Sequence, residues 1–251
     1  MNKKVIYTCL VGNYDNLSQP EIIYDDFDYI CYSDNVSKSH IGVWQVRAIP
    51  FECEDKTRLS RYVKINPHKV LSDYDYSIYI DANIIITDGF LRDRVLELIE
   101  HGSVWAQIEH TFINCIYDEI IRCAELAKDK IKILSAQYHF LKKDGYPNAF
   151  GLYENGLLFR QHNDRRVINI SEAWWTAYMT LSRRDQHCLG YVFWKSHFKP
   201  DLLLPQGQDT RNHPGFFYKQ HVMSLKQKIV YKLRIYRNQI IISLFKSKLF
   251  N

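Results

Sequence analysis

Residues Tyr74–Gly89, which read YDYSIYIDANIIITDG, place a short polar break inside an apolar run. Ser77–Ile80 and Ile84–Thr87 are β-branched and aromatic stretches, and the tripeptide Asp81-Ala82-Asn83 separates them. A strand that is apolar on both faces is typical of the middle of a parallel sheet covered by helices on either side. The stretch therefore predicts an α/β fold with a mainly parallel sheet, and it places the polar tripeptide at the carboxyl end of a central strand, where such sheets bind ligands.

The chemistry of the polar tripeptide leaves two interpretations open. Asp81 and Asn83 are two residues apart, so both side chains point to one side across a pleat, and their oxygens suit a hard divalent cation. Asp, Asn and Gly are also common turn residues, so a plain turn explains the same pattern.

The same pattern of an apolar strand closed by a polar turn occurs twice earlier in the chain. Lys4–Val11 is followed by a turn at residues 12–15, and Phe27–Tyr32 is followed by Ser33-Asp34-Asn35. The first loop of an α/β enzyme commonly contacts the nucleotide, although a plain turn again remains open.

A predicted helix over Glu54–Leu71 leads into the central strand and carries three cations, Arg58, Arg61 and Lys64, at intervals of three residues. This spacing places them along one helix face. They either border a phosphate site or form a solvated face.

Composition describes a globular protein with a basic end. Hydrophobic residues make up 46% and charged residues 24% of the 251 residues, enough apolar content for one core or for one domain with an appendage. From Thr210 onward the chain has nine Lys or Arg and no Asp or Glu, whereas residues 1–209 hold 24 basic and 28 acidic residues. The basicity belongs to a tail, which argues against a nucleic-acid-binding face. The six cysteines show neither a C-x-x-C motif nor metal-ligand spacing, so we expect a reducing, cytoplasmic location.

Several fragments together resemble a known family. They are VGNYD, YICYSDN, the R-x-x-R-x-x-K-I-x-P-H helix, YSIYIDANI, ENGLLFRQHN and the WW…SRRDQ segment, and they span roughly residues 4 to 215. Their order resembles the glycosyltransferase-like domain shared by bacterial polysaccharide-cluster proteins and plant pectin and mucilage glycosyltransferases. That family is similar to GT-A glycosyltransferases, in which an α/β sandwich binds a nucleotide sugar through a metal ion. It also resembles the retaining family that includes glycogenin, where an Asp-Gln pair faces the donor sugar.

The resemblance implies a metal site and a donor pocket. Asp81-Ala82-Asn83 stands where those enzymes carry a D-x-D motif, with Asn in place of the last Asp, which implies weaker binding of Mn²⁺, or alternatively of Mg²⁺. His213 stands where the third ligand comes from, although a lone loop histidine is also a common structural residue. In the donor pocket, Asp34 would approach the base or ribose, and the cationic stripe would border the pyrophosphate; the same pocket would be lined by Val11, Gly12, Asn13 and Tyr14.

The resemblance also implies the catalytic and sugar-binding residues. Asp185 and Gln186 are the expected pair beside the anomeric carbon, with a helix N-cap as the alternative for Asp185. Glu154 and Asn155 are expected to contact the sugar or the acceptor. Trp174 and Trp175 would form a stacking wall, or else belong to the core.

The tail, residues 223–251, is predicted to be a basic amphipathic helix outside a catalytic domain over residues 1–222. Apolar residues recur on one face at steps of three and four; they are Leu225, Ile229, Leu233, Tyr236, Ile240 and Leu244. The face suits an anionic membrane surface, with packing on the domain or a homodimer as alternatives.

Two classes of function follow. The first is a metal-dependent transferase that moves a sugar from a UDP-sugar to a lipid-linked glycan in capsule or O-antigen synthesis, with retention favoured, at the inner face of the cytoplasmic membrane. The second is a catalytically weak module that binds a nucleotide or sugar, which Asn83 in place of Asp suggests.

Overall fold

The computed structural model describes residues 2–12, 17–220 and 223–250. The strands within these residues are β1 Lys4–Leu10, β2 Asp28–Ser33, β3 His40–Ile41, β4 Trp44–Ala48, β5 Tyr76–Ile80, β6 Ile84–Ile86, β7 Trp105–Glu109, β8 Tyr153–Arg160, β9 Asp201–Leu202 and β10 Phe216–Tyr218. The helices are α1 Lys56–Ile65, α2 Pro67–Val70, α3 Phe90–Glu100, α4 Ile116–Glu125, α5 Ile131–Lys143, α6 Arg165–Thr180, α7 Asp185–Lys195 and α8 Leu225–Phe250.

The chain divides into two compact units. The first comprises Met1–Thr111, Tyr153–Trp175 and Lys199–His221, and the second comprises Phe112–Leu152, Thr176–Phe198 and Val222–Asn251. The predicted tail therefore groups with α4, α5 and α7 in the second unit.

The first unit is built on a sheet in the order β3-β4-β2-β1-β5-β8-β7-β9. Pairs β4–β2, β2–β1, β1–β5 and β7–β9 are parallel, and β3 and β8 run against their neighbours. Every residue of β5 is buried, as a strand covered on both faces requires. The predicted mainly parallel α/β fold is confirmed.

Two further features of the first unit position the residues after β5. One core cluster joins Ile78 and Ile80 of β5 to Val95 and Leu98 of α3. A separate antiparallel ribbon pairs β6 with β10, with Ile84 opposite Tyr218 and Ile86 opposite Phe216. The residues after β5 therefore enter this ribbon.

The second unit is helical, and its core joins α4, α5 and α8. Ile120, Leu134 and Leu141 pack with Ile242 and Phe250 of α8. On the same face of α8, the Asn238 amide donates a hydrogen bond to the Ala124 carbonyl at 2.7 Å. Among the described helices, none is long and apolar enough to cross a membrane.

Candidate active site

The carboxyl ends of β2, β1 and β5 lie side by side at one edge of the sheet. The register pairs Leu10 with Ser33, and the parallel alignment of β1 with β5 runs through Tyr7 and Tyr79. The electrostatic neighbours of the Cys9 thiol include both Asp34 and Asp81. Since adjacent strands are about 4.8 Å apart, the ends of β2 and β5 that precede these two aspartates lie roughly 10 Å apart across the sheet, on either side of β1.

Asp34 is held in place by two donors. Its Oδ1 accepts a hydrogen bond from the Gly12 amide at 3.0 Å, and its Oδ2 pairs with Lys56 Nζ at 2.8 Å. Burial raises the pKa of this carboxyl, but the hydrogen bonds from Lys56 and Gly12 outweigh that effect and bring the pKa below its usual value. Gly12 has φ +69, a conformation that favours glycine. The structure therefore brings Asp34 and Gly12 together, next to the buried Val11. The other two predicted residues of this pocket, Asn13 and Tyr14, lie outside the described residues.

Asp81 directly follows β5 and keeps an accessible carboxylate. Its Oδ1 accepts a hydrogen bond from the Tyr79 hydroxyl at 2.9 Å and pairs with Lys64 Nζ at 3.6 Å, and its side chain is 35% exposed. The Ile84 amide donates to the Asp81 carbonyl at 2.9 Å, so residues 81–84 form a turn. The turn interpretation is thus correct for the backbone. The turn leaves the Asp81 carboxylate accessible, so it is compatible with a role of Asp81 as a ligand.

Asn83 is buried, and its amide orientation is fixed by the ribbon. Its Nδ2 donates to the Lys219 carbonyl at 3.1 Å, and the Lys219 amide donates to the Asn83 carbonyl at 2.8 Å. Because the nitrogen end of the side chain is engaged, Oδ1 is the end that can ligate a cation.

The oxygens of Asp81 and Asn83 are of the chemical type that a hard divalent cation accepts. One carboxylate oxygen, Oδ1, is anchored, while Oδ2 faces Gly156 of β8, where a Cβ would lie only 3.3 Å away. Glycine at this position leaves room beside the carboxylate that a larger residue would fill. Carboxylate and amide oxygens are the ligands that Mn²⁺ and Mg²⁺ accept.

The predicted cationic stripe separates into two environments. Lys64 is buried, pairs with Asp81 and lies 4.9 Å from the centre of the Tyr79 ring. Arg58 and Arg61 are half-buried, and Arg61 is an electrostatic neighbour of both Cys9 and Tyr79. The solvated-face alternative is wrong for Lys64, because its ammonium reaches the central strand instead of water.

Sequence reasoning missed Arg160, which holds the backbone of Lys64 through a hydrogen bond. Arg160 is fully buried, and its Nη2 donates to the Tyr7 hydroxyl at 2.6 Å and to the Lys64 carbonyl at 2.7 Å. Its guanidinium also lies 5.2 Å from the centre of the Trp105 ring. The only available signal was an arginine ending the apolar run GLLFR, a position usually assigned to the surface.

The structure does not bring His213 to Asn83. The register of the ribbon places Lys219 opposite Asn83. Four residues away on each strand, the Gly215 carbonyl accepts a hydrogen bond from the Thr87 amide, and His213 lies beyond Gly215. Four residues of strand span about 13 Å. The His213 ring instead packs against Phe90 at a tilt of 44° with centroids 4.1 Å apart, and its Nδ1 accepts a hydrogen bond from the Gly215 amide at 3.0 Å.

Glu154 and Asn155 belong to a polar network that is buried at Asn155 and reaches the surface at Arg211. Both Glu154 carboxylate oxygens accept from Arg211 Nη1 at 3.0 Å, and Asn155 Oδ1 accepts from the Gln107 amide. Burial raises the pKa of Glu154, while Arg211 opposes the rise and Asp209 adds to it. The network ties β7 and β8 to the loop after β9. We therefore assign both residues a structural contact here, and sugar contact remains a prediction.

The two tryptophans of α6 differ in what they could offer a sugar. Trp174 is fully buried against Trp105, with centroids 6.3 Å apart, so the core alternative is correct for it. Trp175 is half-buried and packs edge-on against Phe51 and Tyr62 at 5.4 Å. Only Trp175 has surface for stacking.

Asp185 and Gln186 lie in the second unit and open α7. The N-cap position is Arg184, so Asp185 is the first helical residue rather than the cap. Its side chain is buried and that of Gln186 is half-buried. A carboxylate in the first turn interacts favourably with the helix dipole, which stabilises its charged form.

The architecture and the carboxylate at the edge of the sheet define an α/β domain with a ligand site at the carboxyl ends of its strands, and the sequence comparison identifies the family. The profile of the TOD1/MUCI70 glycosyltransferase-like domain matches residues 1–204. The chain belongs to this family, which confirms the resemblance and makes glycosyl transfer the class of reaction. Comparison with curated proteins gave no match.

Solved structures of glycosyltransferases are similar to the chain at low sequence identity. One is the galactosyltransferase LgtC in complex with donor and acceptor sugar analogs, with 12% identity, a TM-score of 0.44, and coverage of 75% of this chain and 70% of that one. Another is the bifunctional glycosyltransferase WbbM in its apo form, with 11% identity, a TM-score of 0.45, and coverage of 95% of this chain and 44% of that one.

Proposed function

We propose that the protein transfers a sugar from a nucleotide-sugar donor, a UDP-sugar, to a glycan acceptor. The observation that carries the proposal is the accessible Asp81 carboxylate, anchored by Tyr79 and Lys64 at the edge of the sheet where Asp34 and Gly12 also lie. In a chain of the glycosyltransferase-like family, this is the edge expected to hold the donor.

The protein's own residues have distinct tasks in this proposal. Asp81 Oδ2 and Asn83 Oδ1 would hold a divalent cation, Mn²⁺ or Mg²⁺, which when bound stabilises the charge that develops on the departing diphosphate. Lys64 and Arg61 add fixed positive charge on the same side of the strand. Asp34, already paired with Lys56, orients the ribose or base through its carboxylate.

Thermal unfolding with UDP, with and without Mn²⁺, tests the donor site. We expect UDP with Mn²⁺ to raise the Tm, UDP alone to raise it less, and Asp81→Ala to remove the Mn²⁺-dependent part. Asp73→Ala is the matched control, because Asp73 is exposed before the same strand, at its opposite end. A wild-type protein that no nucleotide stabilises would contradict the proposal.

We further propose that Asp185, with Gln186, acts beside the anomeric carbon and that the reaction retains configuration. Asp185→Asn keeps the shape of the side chain and removes its charge. We expect turnover to fall at least ~100-fold with UDP affinity nearly unchanged, the scale of a positioned carboxylate. An unchanged turnover would leave Asp185 a helix-terminal residue, and NMR of the product linkage tests retention.

A binding module without transferase activity is the second candidate, and Asn83 favours it because an amide contributes no charge to the cation site. The two candidates differ in one measurement. Stabilisation by UDP with Mn²⁺ but no hydrolysis or transfer of any UDP-sugar would favour the binding module.

We propose that α8 docks on an anionic membrane, where a lipid-linked acceptor for capsule or O-antigen synthesis is found, at the inner face of the cytoplasmic membrane. Its predicted apolar stripe is exposed along its whole length, with exposures of 51% to 74% for Leu225, Ile229, Leu233, Tyr236, Ile240 and Leu244. Cations flank the stripe; they are Lys226, Lys228, Lys232, Arg234 and Arg237, and no acidic residue occurs in α8. Exposed apolar side chains bordered by cations match an anionic bilayer surface.

A further inference from the structure

Two helices of the second unit bring three metal-ligating side chains together. Glu119 and Cys123 lie one turn apart on α4, and His187 lies in the first turn of α7. One ligand atom from each lies within 4.8 Å of those of the other two, and all three residues are buried. The Cys123 thiol donates to Glu119 Oε1 at 3.2 Å.

His187 is the residue of this cluster whose unpaired ring nitrogens point to a bound ion. Its side chain is fully buried, and neither ring nitrogen has a hydrogen-bond partner among the described residues. Buried polar atoms in native proteins almost always have a partner, and an ion is one recognised explanation when they do not.

We propose that Glu119, Cys123 and His187 bind a zinc ion that joins α4 to α7. A thiolate, an imidazole and a carboxylate form a donor set that zinc accepts in tetrahedral geometry, with bonds of about 2.0 to 2.3 Å. Ligand atoms around such an ion lie roughly 3.3 to 3.8 Å apart, so the present spacing needs about 1 Å of side-chain adjustment. The soft thiolate distinguishes this site from the oxygen-only pair at Asp81 and Asn83.

The charges around the cluster balance once zinc is bound. Arg184 acts electrostatically on both Cys123 and His187, and Asp185 acts on His187. With a neutral thiol, Glu119, Asp185 and Arg184 together carry one net negative charge. Zinc binding adds two positive charges, and the Cys123 thiol releases one proton to solvent, so the cluster becomes neutral. Arg184 therefore does not preclude the ion.

The proposed ion would fix the start of α7, where Asp185 precedes His187 by two residues. The inference does not depend on the transferase proposal, because zinc binding is measured without a donor or acceptor. Since the three ligands are buried and come from two helices, we expect a structural site rather than a catalytic one.

The test uses tag-free, full-length protein and the metal alone. The protein is first stripped of metal with a chelator, then supplied with zinc and desalted. We expect mass spectrometry to find one zinc ion per chain, and we expect zinc to raise the Tm. Cobalt(II) should give an absorption band of thiolate-to-metal charge transfer in the near ultraviolet, which reports Cys123 in the wild-type protein directly.

Variants assign the ligands. Cys123→Ser and His187→Gln should each weaken zinc binding at least tenfold, and Cys123→Ser should remove the charge-transfer band. Cys188→Ser is the matched control, because Cys188 is as buried as Cys123 and follows His187 on α7, but lies outside the cluster. Asp81→Ala should keep both zinc and the band.

Two results would overturn the proposal. One is wild-type protein that binds neither zinc stoichiometrically nor cobalt with a charge-transfer band. The other is a folded Cys123→Ser protein, judged by circular dichroism, that keeps wild-type zinc affinity. If Cys123→Ser does not fold, the cobalt spectrum of the wild type decides the question.

Discussion

The two ends of the Asn83 side-chain amide have different surroundings. Its nitrogen donates to the Lys219 carbonyl beside the β6–β10 ribbon, while its oxygen is the end that would ligate the proposed cation. An aspartate at this position would bring more charge to the cation but would place an oxygen against that carbonyl. If the proposed cation site is correct, Asn83 represents a compromise between the stability of the ribbon and the affinity for the metal.

The first prediction follows from this compromise. Asn83→Asp should lower the metal-free stability by about 1–3 kcal/mol, the scale for a lost buried hydrogen bond. It should also lower the Kd for Mn²⁺ by roughly tenfold, since affinity rises with ligand charge. Calorimetric unfolding and titration measure the two effects separately.

Asn66→Asp is the matched control for that variant. Asn66 is also buried and donates through its side-chain amide to a carbonyl, that of Tyr62, at 3.0 Å. It should lose stability to a similar extent and bind Mn²⁺ like the wild type. Unchanged Mn²⁺ affinity in Asn83→Asp would count against Asn83 as a ligand.

His162 makes the first unit sensitive to acid. Burial lowers the pKa of His162 to about 4, against a raising effect of the hydrogen bond between Nε2 and the Leu71 carbonyl and a further lowering effect of Arg160 and His68. The unfolded state binds a proton near pH 6.5, whereas the folded state does not until about pH 4. Stability is therefore present above the unfolded pKa and is lost as the pH falls from 6.5 towards 4.

The second prediction compares the wild type with His162→Gln, whose amide can still donate to the Leu71 carbonyl. Between pH 7 and pH 5, the free energy of unfolding of the wild type should fall by about 2 kcal/mol more than that of the variant. Chemical denaturation at several pH values gives both curves. Parallel curves would mean that His162 is protonated in the folded state.

Sequence patterns were better at predicting which residues lie at strand ends than at predicting which charged residues are buried. Asp34 and Asp81 stood out because polar residues interrupted apolar strands, and the structure places both at one edge. The spacing of cations singled out Lys64 but did not show that it is buried, and Arg160 was missed. Burial of a cation depends on partners that come from distant parts of the chain, here Asp81 and Tyr7.

At the scale of elements, α8 has two apolar faces with different roles. The inner face, which includes Asn238, Ile242 and Phe250, is buried on α4 and α5, whereas the predicted stripe points to solvent. Deleting the helix would therefore expose the core of the second unit. Substitutions on the outer face are the better probe of membrane docking.

The third prediction concerns this outer face. Leu233→Ser combined with Ile240→Ser should weaken binding to anionic liposomes at low salt by roughly tenfold or more, because each apolar side chain removed from the bilayer costs at least ~1 kcal/mol. Gln239→Ser, an exposed change off the stripe, is the control. Sedimentation with liposomes measures binding, and circular dichroism checks the helix.

Two outcomes would redirect the proposal for α8. Wild-type protein that ignores anionic liposomes would rule out membrane docking. If the serine variants instead convert a dimer to a monomer in analytical ultracentrifugation, the stripe serves a second copy of the chain.

Sequence periodicity predicted some elements well and others not at all. Strands β1, β2 and β5 and the helical tail were predicted within a few residues, whereas the helix predicted over Glu54–Leu71 is divided into α1 and α2. Strands β9 and β10 were missed, because they have only two and three residues. Their pairing with β7 and β6 defines them, and pairing is not visible in a local pattern.

At the scale of the whole molecule, the two proposed metal sites belong to different units. The oxygen pair of Asp81 and Asn83 lies in the first unit, and the cluster of Glu119, Cys123 and His187 lies in the second. The second site was invisible in the sequence, because two ligands come from α4 and the third from α7, more than 60 residues later. A Glu and a Cys one turn apart match no metal motif.

The last prediction uses this separation. In hydrogen exchange with mass spectrometry, UDP with Mn²⁺ should slow exchange in peptides that cover residues 33–35 and 80–86, since bound ligand stabilises the backbone that holds it. Zinc alone should slow exchange in peptides that cover α4 and the start of α7. Asp81→Ala should lose the first effect and keep the second, and Cys123→Ser should do the reverse. Protection of residues 80–86 by zinc alone, or of α4 by UDP with Mn²⁺ in zinc-loaded protein, would contradict the assignment of the two ions to separate units.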